Sequence, residues 1–552
     1  MPWPPIQKET PTISSLIPPD LYHPPPLTHY WVYLLSLVFV SLLIKHWDTP
    51  AFSFTHLFLH HHARIVGRLW LTVHAFGLRF ASHPFNLNRF MQEKQSQAVS
   101  GPNSRRDFIK QTATVAATVA TVNMFKTPVY GQNKAPSTGR VIGANDRITV
   151  GFIGVGGQGM AHVRSQKNDA AANNVELVAT CDVWKNRVAS SKAYIGGKCE
   201  GYDDYRKLLE RKDIDAVTIA TVDHWHTKCS LDAIQTGKHV YVEKPMTRYL
   251  GEAFQIHDAV KNSKTVFQVG SQGCSDAKWH KAAEMIKAGK IGQMVMAQGS
   301  YPRNNPKGEW NYNIDPQAKA ENLDWKNWLG PVSKKIPFNA DHYFRWRKYY
   351  PYCGGLLGDL FPHRLHPYML ASGNPEYPTR VVSIATKRVH SDKNTPGTPE
   401  RDVPEHVELL AEFPSGLTLV MISSTVCESG LIEQINGHKG TLYMSGNRVE
   451  LKPERQFAEE VEPETISGIK PGEDVAVHEK NWFDCIRDGK APNANIDLAT
   501  KVQTVISLGE MSERLGVACK FDPKTRKITT GDGKVMPVTE LKPITYGWTD
   551  LS

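Results

Sequence analysis

The sequence predicts an α/β protein in two folded halves. The first is a doubly wound parallel sheet. The second is an α+β domain with a large, open, mostly antiparallel sheet. Three observations carry this. A strand-like run, Arg147 to Gly154, enters a glycine-rich turn and then a helix-compatible stretch. Strand-like and helix-like runs then alternate to about residue 270, as parallel βαβ units do. Beyond that point short runs with period-two alternation dominate, as in antiparallel strands. At 552 residues the chain is also too long for one ordinary core.

The first 146 residues read as a leader. Residues 1–90 are rich in Pro, His and aromatics. Their one apolar run, Tyr30 to Ile44, falls short of the roughly 20 residues that span a bilayer. Ser104-Arg105-Arg106-Asp107-Phe108-Ile109-Lys110 matches the twin-arginine export pattern, and a small, apolar run follows from Thr112 to about Met124. Met91 stands a normal distance ahead of the arginine pair. Translation is therefore expected to start there, with residues 1–90 an extension outside the natural protein; a membrane anchor is the rival reading. Residues 91–146 become signal and linker. This makes the twin-arginine machinery an expected partner and a periplasmic or otherwise exported location the expected destination.

The net charge is +10, but residues 1–146 carry 13 Lys/Arg against 6 Asp/Glu, leaving only +3 on the remainder. No basic patch for nucleic acid is implied. None of the eight cysteines forms a C-x-x-C pair, so no metal site is predicted, and mostly free, buried thiols are expected.

Within the first half, residues 147–270, the glycine-rich turn is Gly154-Val155-Gly156-Gly157-Gln158-Gly159, a G-x-G-x-x-G between strand and helix. Gly154 permits the tight turn, Gly156 lets the backbone approach a pyrophosphate, and Gly159 lets helix and strand pack closely. The helix start, Met160 to Gln166, supplies free N–H groups for the phosphates. The next strand, Glu176 to Val183, places Asp182 23 positions after Gly159, where an acid grips the adenosine ribose. That favours NAD; Lys185 and Arg187 keep NADP open. The alternation continues with strands at Asp215 to Ala220, His239 to Val242 and Thr265 to Val269, and helices at Lys228 to Thr236 and Leu250 to Asn262. A Rossmann dinucleotide-binding domain follows from this pattern.

Ala220-Thr221-Val222-Asp223-His224-Trp225-His226, with Gly237 to Val242 and then Glu243-Lys244-Pro245, resembles the Gfo/Idh/MocA oxidoreductases, in an exported, twin-arginine branch. The resemblance implies that Glu243, Lys244 and Pro245 lie beside the nicotinamide, that Lys244 touches the reacting hydroxyl, and that Asp223 and His226 lie near the cofactor. Independently, Lys244 sits just beyond a strand's carboxyl end, where open α/β sheets bind ligands, and a cation there stabilises a developing alkoxide.

The second half, residues 271–552, opens with a helix at Ser275 to Gly289. Strands are expected at Val381 to Lys387, His406 to Phe413, Leu417 to Ser424, Glu433 to Asn436, Thr441 to Ser445 and Arg448 to Leu451, and a returning helix at Glu473 to Gly489. The aromatics of Asp324-Trp325-Lys326-Asn327-Trp328-Leu329-Gly330-Pro331 are expected to pack rather than bind. Cys353-Gly354-Gly355 through Asp359 to His363 resembles the family's G-G-G…D-x-x-x-H. Asp359 and His363, four apart, share one face if they lie on one helix. Histidine is the natural base for the carbinol proton, and a carboxylate can orient its ring. Arg345 and Trp346 are candidate substrate contacts, in a charged run that continues through Arg347 and Lys348. His366 stands where many relatives carry an acid and is the third candidate.

The expected activity is hydride transfer between a nicotinamide and a hydroxyl of a sugar, glycoside or cyclitol, with His363 as acid/base, Lys244 as polarising cation and Asp359 as orienting carboxylate. The alternatives are an NAD-dependent glycosidase that oxidises its substrate transiently, and a non-catalytic sugar-binding protein. A tightly bound dinucleotide is expected, because an exported enzyme has no free nicotinamide pool. The resemblance also implies a homo-oligomer.

Overall fold

A computed structural model describes residues 146–333, 335–390, 401–470, 472–530 and 537–538. The expected leader, with Met91 and the twin-arginine pattern, lies outside the described residues.

The first half is a six-stranded sheet of β1 (Ile148–Ile153), β2 (Val175–Cys181), β3 (Glu200–Tyr202), β4 (Ala216–Ile219), β5 (His239–Glu243) and β6 (Phe267–Gly270), in the order β3-β2-β1-β4-β5-β6. Every pairing is parallel. The crossovers are α1 (Gly157–Asn168), α2 (Lys185–Ile195), α3 (Tyr205–Leu209), α4 (Asp223–Gln235) and α5 (Leu250–Lys261). β1 and β4 are central and almost wholly buried, as continuous β-branched and apolar strands should be. The chain reverses direction across the sheet between β1 and β4, and ligands bind outside the strand carboxyl ends at such a switch point. The loops leaving β1, β2, β4 and β5 all open there.

The second half begins with α6 (Ala277–Lys287), β7 (Met294–Ser300) and β8 (Arg303–Asn304). An irregular stretch follows, holding α7 (Trp325–Leu329), α8 (Ala340–Phe344), α9 (Gly355–Asp359) and α10 (Pro362–Ala371). The strands β9 (Arg380–Thr386), β10 (His406–Glu412), β11 (Thr418–Ser424), β12 (Val426–Cys427), β13 (Gln434–Gly437), β14 (Gly440–Ser445), β15 (Arg448–Pro453) and β16 (Glu464–Ile466) come next. Then come α11 (Val475–Asp488), α12 (Ile496–Leu515) and β17 (Cys519–Asp522), β18 (Lys527–Thr530) and β19 (Pro537–Val538). Eleven strands form one sheet, β16-β15-β14-β13-β7-β11-β10-β9-β17-β18-β19. It is antiparallel except for the β7–β11 pair. β9 and β10 alternate buried and exposed residues, so one face packs on helices and the other is open.

Pattern reading misses several elements, among them the helices α2 and α3, the strands β3, β7, β17 and β18, and α12. The last is the most instructive. Fifteen of its twenty residues are buried, against β9 on one side and α5 on another. A helix buried all round has no apolar stripe, and its Val-Gln-Thr-Val-Ile run reads as strand. Its caps are nonetheless written in the sequence. Asn495 accepts the N–H groups of Asp497 and Leu498, and Gly516 takes the left-handed conformation. All eight cysteines are free thiols, seven of them buried. Among the described residues no helix is long and apolar enough to cross a membrane.

Candidate active site

The switch point holds a cavity of about 550 Å³. Its walls come from the glycine loop, Asp182, the β4–α4 loop, the Glu243-Lys244 turn and, from the second half, Arg303, Trp346, Arg347, Asp359 and His363.

The glycine loop has the geometry a dinucleotide needs. Gly154 has φ +84 and a Cβ there would lie 2.7 Å from Ala220 O. A Cβ on Gly159 would fall 1.9 Å from Gly154 O, so helix and strand pack as closely as glycine allows. Gly157 has open space above it, and no side chain caps the N-terminus of α1, leaving its N–H groups for an anion. Gln158 lines the cavity and turns its amide to Glu243 Oε1, 3.1 Å away. Gly159→Ala is expected to lower dinucleotide affinity at least tenfold, read by nucleotide titration, because the clash is with backbone and cannot relax cheaply.

Asp182 is buried, and each of its oxygens accepts one backbone N–H at 3.0 Å: Val155 in the glycine loop and Trp184. The carboxylate is thereby fixed at the ribose end of the cavity. Arg187 lies 3.8 Å from it and packs over the ring of Tyr343. The second half closes over this end. Leu323 bridges Trp184 in antiparallel fashion, the N–H of Asp324 donates to Val183 O at 2.9 Å, and Trp225 Nε1 donates to Trp328 O at 2.9 Å. Trp325 and Trp328 stack with centroids 4.6 Å apart. Trp328 also lines the cavity, so the D-W-x-x-W segment both packs and walls the site.

The β4–α4 loop supplies Asp223 and His226, both nearly fully buried. His226 Nδ1 lies 2.7 Å from Pro245 O and Nε2 3.2 Å from Thr221 O, tying the Glu243-Lys244-Pro245 turn to this loop. The Lys244–Pro245 peptide is cis. His224 faces Trp328 O, 2.9 Å away, and does not line the cavity. Asp223 lines it, its carboxyl under the charges of Arg347, Asp359 and Lys244. Burial pushes its carboxyl up to about 7, against the opposing pull of Arg347. Between the ordinary carboxylate range and pH 7 the unfolded chain has lost this proton and the folded one has not, so stability falls as pH rises. Asp223→Asn is expected to be more stable than the parent above pH 7, by up to about 4 kcal/mol, and unchanged near pH 3, by chemical denaturation.

Lys244 Nζ donates to Asp359 Oδ1 and to Asp359 O, both at 2.7 Å. Arg347 Nε donates to the same Oδ1 at 2.9 Å. Burial opposes charge on Asp359, but Lys244 and Arg347 outweigh it and hold the carboxyl far below its usual range. Asp359 and His363 do not share one helix. α9 ends at Asp359, Phe361 caps α10, and Pro362 is its first residue. Proline lacks the N–H needed to continue α9 and suits the first turn of a new helix. The carboxylate that orients His363 is therefore not Asp359 but Glu473, whose Oε2 lies 2.8 Å from His363 Nδ1. Burial acts to raise Glu473, yet His363 and Arg364 bring its carboxyl down to about 2. An ionised Glu473 makes Nδ1 the donor and leaves Nε2 of the neutral ring as an acceptor. Tyr301 stacks on the ring at 4.6 Å.

Two expected substrate contacts are corrected by the fold. Arg345 pairs with Asp341 at 2.7 Å and donates to Tyr312 O; the cavity wall is Arg347, two residues on, stacked on Trp346 at 4.1 Å. The short helical turn from Trp346 to Lys348 decides which arginine faces inward. His366 is buried between Ser271 Oγ and Pro362 O, and burial pushes it down to about 3, so it sits behind the site as a neutral ring. Gly354 and Gly355 of the same motif do not line the cavity; a Cβ on Gly355 would press Val403. Sequence reading misses Glu473, Arg303 and Tyr312 as site residues. None lies in a motif, although Glu473 opens the returning helix that the pattern predicts.

Comparison with known proteins agrees with this geometry. Residues 148–271 match the Gfo/Idh/MocA description "Oxidoreductase family, NAD-binding Rossmann fold", and residues 305–541 match "Oxidoreductase family, C-terminal alpha/beta domain". An alpha-N-acetylgalactosaminidase of Shewanella oneidensis is 27% identical over 44% of this chain and 56% of its own. An inositol 2-dehydrogenase of Salmonella paratyphi B is 28% identical over 33% of this chain and 54% of its own. The chain thus spans about half the length of the curated relatives it matches. A solved levoglucosan dehydrogenase, in complex with NADH and levoglucosan, shares the fold with a TM-score of 0.53 at 18% identity, over 68% of this chain and 99% of that one. The chain belongs to the Gfo/Idh/MocA oxidoreductase family, with an NAD-binding Rossmann domain and the family's C-terminal α/β domain.

Proposed function

We propose that this protein transfers hydride between a bound nicotinamide and a hydroxyl of a sugar, glycoside or cyclitol. The carrying observation is that Lys244, Asp359 and His363, from three separate elements, line one cavity with the glycine loop and Asp182. The residues present fit a dinucleotide: Gly154, Gly156 and Gly157 would hold its pyrophosphate and Asp182 its ribose, with Gly159 packing the helix on the glycine turn, Asp223, His226 and Glu243 lining the same cavity, and Pro245 behind them bonded to His226. When bound, it supplies the hydride acceptor. His363 Nε2 takes the hydroxyl proton, with Glu473 holding the ring. Lys244 stabilises the developing alkoxide, and Asp359 aims Lys244 and Arg347 at the substrate. Trp346 and Arg347 form the aromatic and polar wall for a polyhydroxylated ring. The test is nicotinamide fluorescence of protein carrying NAD, before and after a panel of sugars and cyclitols. A rise with one class supports the reading; dinucleotide binding with no response to any of them overturns net dehydrogenation.

A second reading is favoured by a specific observation, the glycosidase names among the relatives. In it the same groups oxidise a glycoside transiently and the hydride returns. Cleavage of an aryl glycoside without net cofactor reduction separates the two. Retention of the dinucleotide is supported by the Trp184–Leu323 bridge over the ribose end. Export of the loaded, folded protein is supported by Ser104 to Lys110. A homo-oligomer is supported by exposed Val382, Ile384 and Leu410 on the open face of the large sheet.

A further inference from the structure

Below the Glu243-Lys244 turn lies a charge arrangement that the proposed chemistry leaves unused. Glu243 is 5% exposed at the end of β5 and its side chain lines the cavity. Its Oε1 lies 2.7 Å from His162 Nε2 and accepts Gln272 Nε2 at 3.2 Å. A Cβ on Gly270 would lie 2.8 Å from this oxygen, so the neighbouring strand leaves room for the carboxylate. On the other side of the ring, His162 Nδ1 lies 2.6 Å from Glu479 Oε1. Glu479 is itself held by Ser165 Oγ at 2.6 Å and Gln166 Nε2 at 3.0 Å. His162 is 0% exposed and Glu479 1%. Three elements, α1, β5 and α11, thus meet in a buried carboxylate–imidazole–carboxylate array.

The array is negative whichever form the ring takes: −1 with an imidazolium, −2 with a neutral imidazole. Burial opposes both charges, but the paired hydrogen bonds prevail, taking Glu243 down to about 2 and His162 up to about 10. The very next residue, Lys244, joins Arg347 around Asp359 in a group of net +1. One step of the chain therefore separates a negative group at Glu243 from a positive one at Lys244. Such a pair complements a cationic ring on one side and an alkoxide on the other.

We propose that the Glu243–His162–Glu479 array biases a bound dinucleotide toward its oxidised, cationic nicotinamide, lowering the midpoint potential of the bound couple. This rests on the dinucleotide reading above. His162 and Glu479 act through Glu243 and are positioning residues. The consequence is an enzyme that rests oxidised and, once reduced, is a strong hydride donor, as a hydride-returning cycle requires.

The test is a redox titration of the nicotinamide bound to the full protein, followed by NAD⁺ and NADH affinities for Glu479→Gln and Glu479→Asp. The wild-type midpoint is expected below that of the free couple in the same buffer. Glu479→Gln removes one negative charge while keeping the shape. The ratio Kd(NAD⁺)/Kd(NADH) is then expected to rise about tenfold, or about 30 mV for a two-electron couple. Glu479→Asp keeps the charge and is expected to leave the ratio near wild type, which a purely structural role does not predict. A wild-type midpoint at or above the free couple overturns the proposal, and needs no variant to fold. So does a folded Glu479→Gln protein with an unchanged ratio. Binding of both nucleotides without bias defeats this inference alone; binding of neither defeats the dinucleotide reading beneath it.

Discussion

Replacing His363 with alanine is expected to lower kcat by about 10²- to 10⁴-fold, the usual contribution of a positioned general acid/base. Dinucleotide affinity is expected to stay within a few-fold of wild type. The two effects separate because His363 and Asp182 are held by different partners. His363 answers to Glu473 and Tyr301; Asp182 answers to the N–H groups of Val155 and Trp184. Stopped-flow hydride transfer and nucleotide titration on the same preparation measure both. An alanine variant with undiminished turnover removes His363 from the chemistry.

Lys244→Met is expected to act on rate and on stability together. Loss of the cation that faces the alkoxide lowers kcat by about 10²- to 10³-fold, as for other preorganised charge-stabilising groups. The pair it breaks is buried: Lys244 and Asp359 side chains are 10% and 9% exposed. Removing one partner of such a pair costs about 3–5 kcal/mol. Arg347 still reaches Asp359, so the low end of that range applies. The sign with pH also follows. In the wild type the Asp359 carboxyl is depressed by Lys244 and Arg347, so its stabilisation is present at neutral pH and lost only as pH falls below the ordinary carboxylate range. Without Lys244 that depression shrinks, and acid unfolding is expected to begin at higher pH. Chemical denaturation between pH 2 and 7 measures this. A variant that is slow but equally stable would restrict Lys244 to the chemistry.

Local sequence determined the nucleotide half of this protein almost completely. Strand, glycine turn and helix are contiguous there, and glycine is required by contacts only a few residues away, as Gly159 against Gly154 O shows. Alternating exposure in β9, β10 and β11 made the middle of the antiparallel sheet legible too, because a sheet with one wet face carries a period of two. What only the tertiary structure decided were choices made by distant partners. His363 is oriented by a residue 110 positions away, and Arg347 rather than Arg345 faces the cavity. Motif spacing likewise has no access to His162, whose ring is clamped by carboxylates 81 and 317 positions off. The physical reason is range. Backbone propensity and amphipathic period act within a few residues of the chain, whereas charge pairing in a low-dielectric interior selects partners by position in space alone.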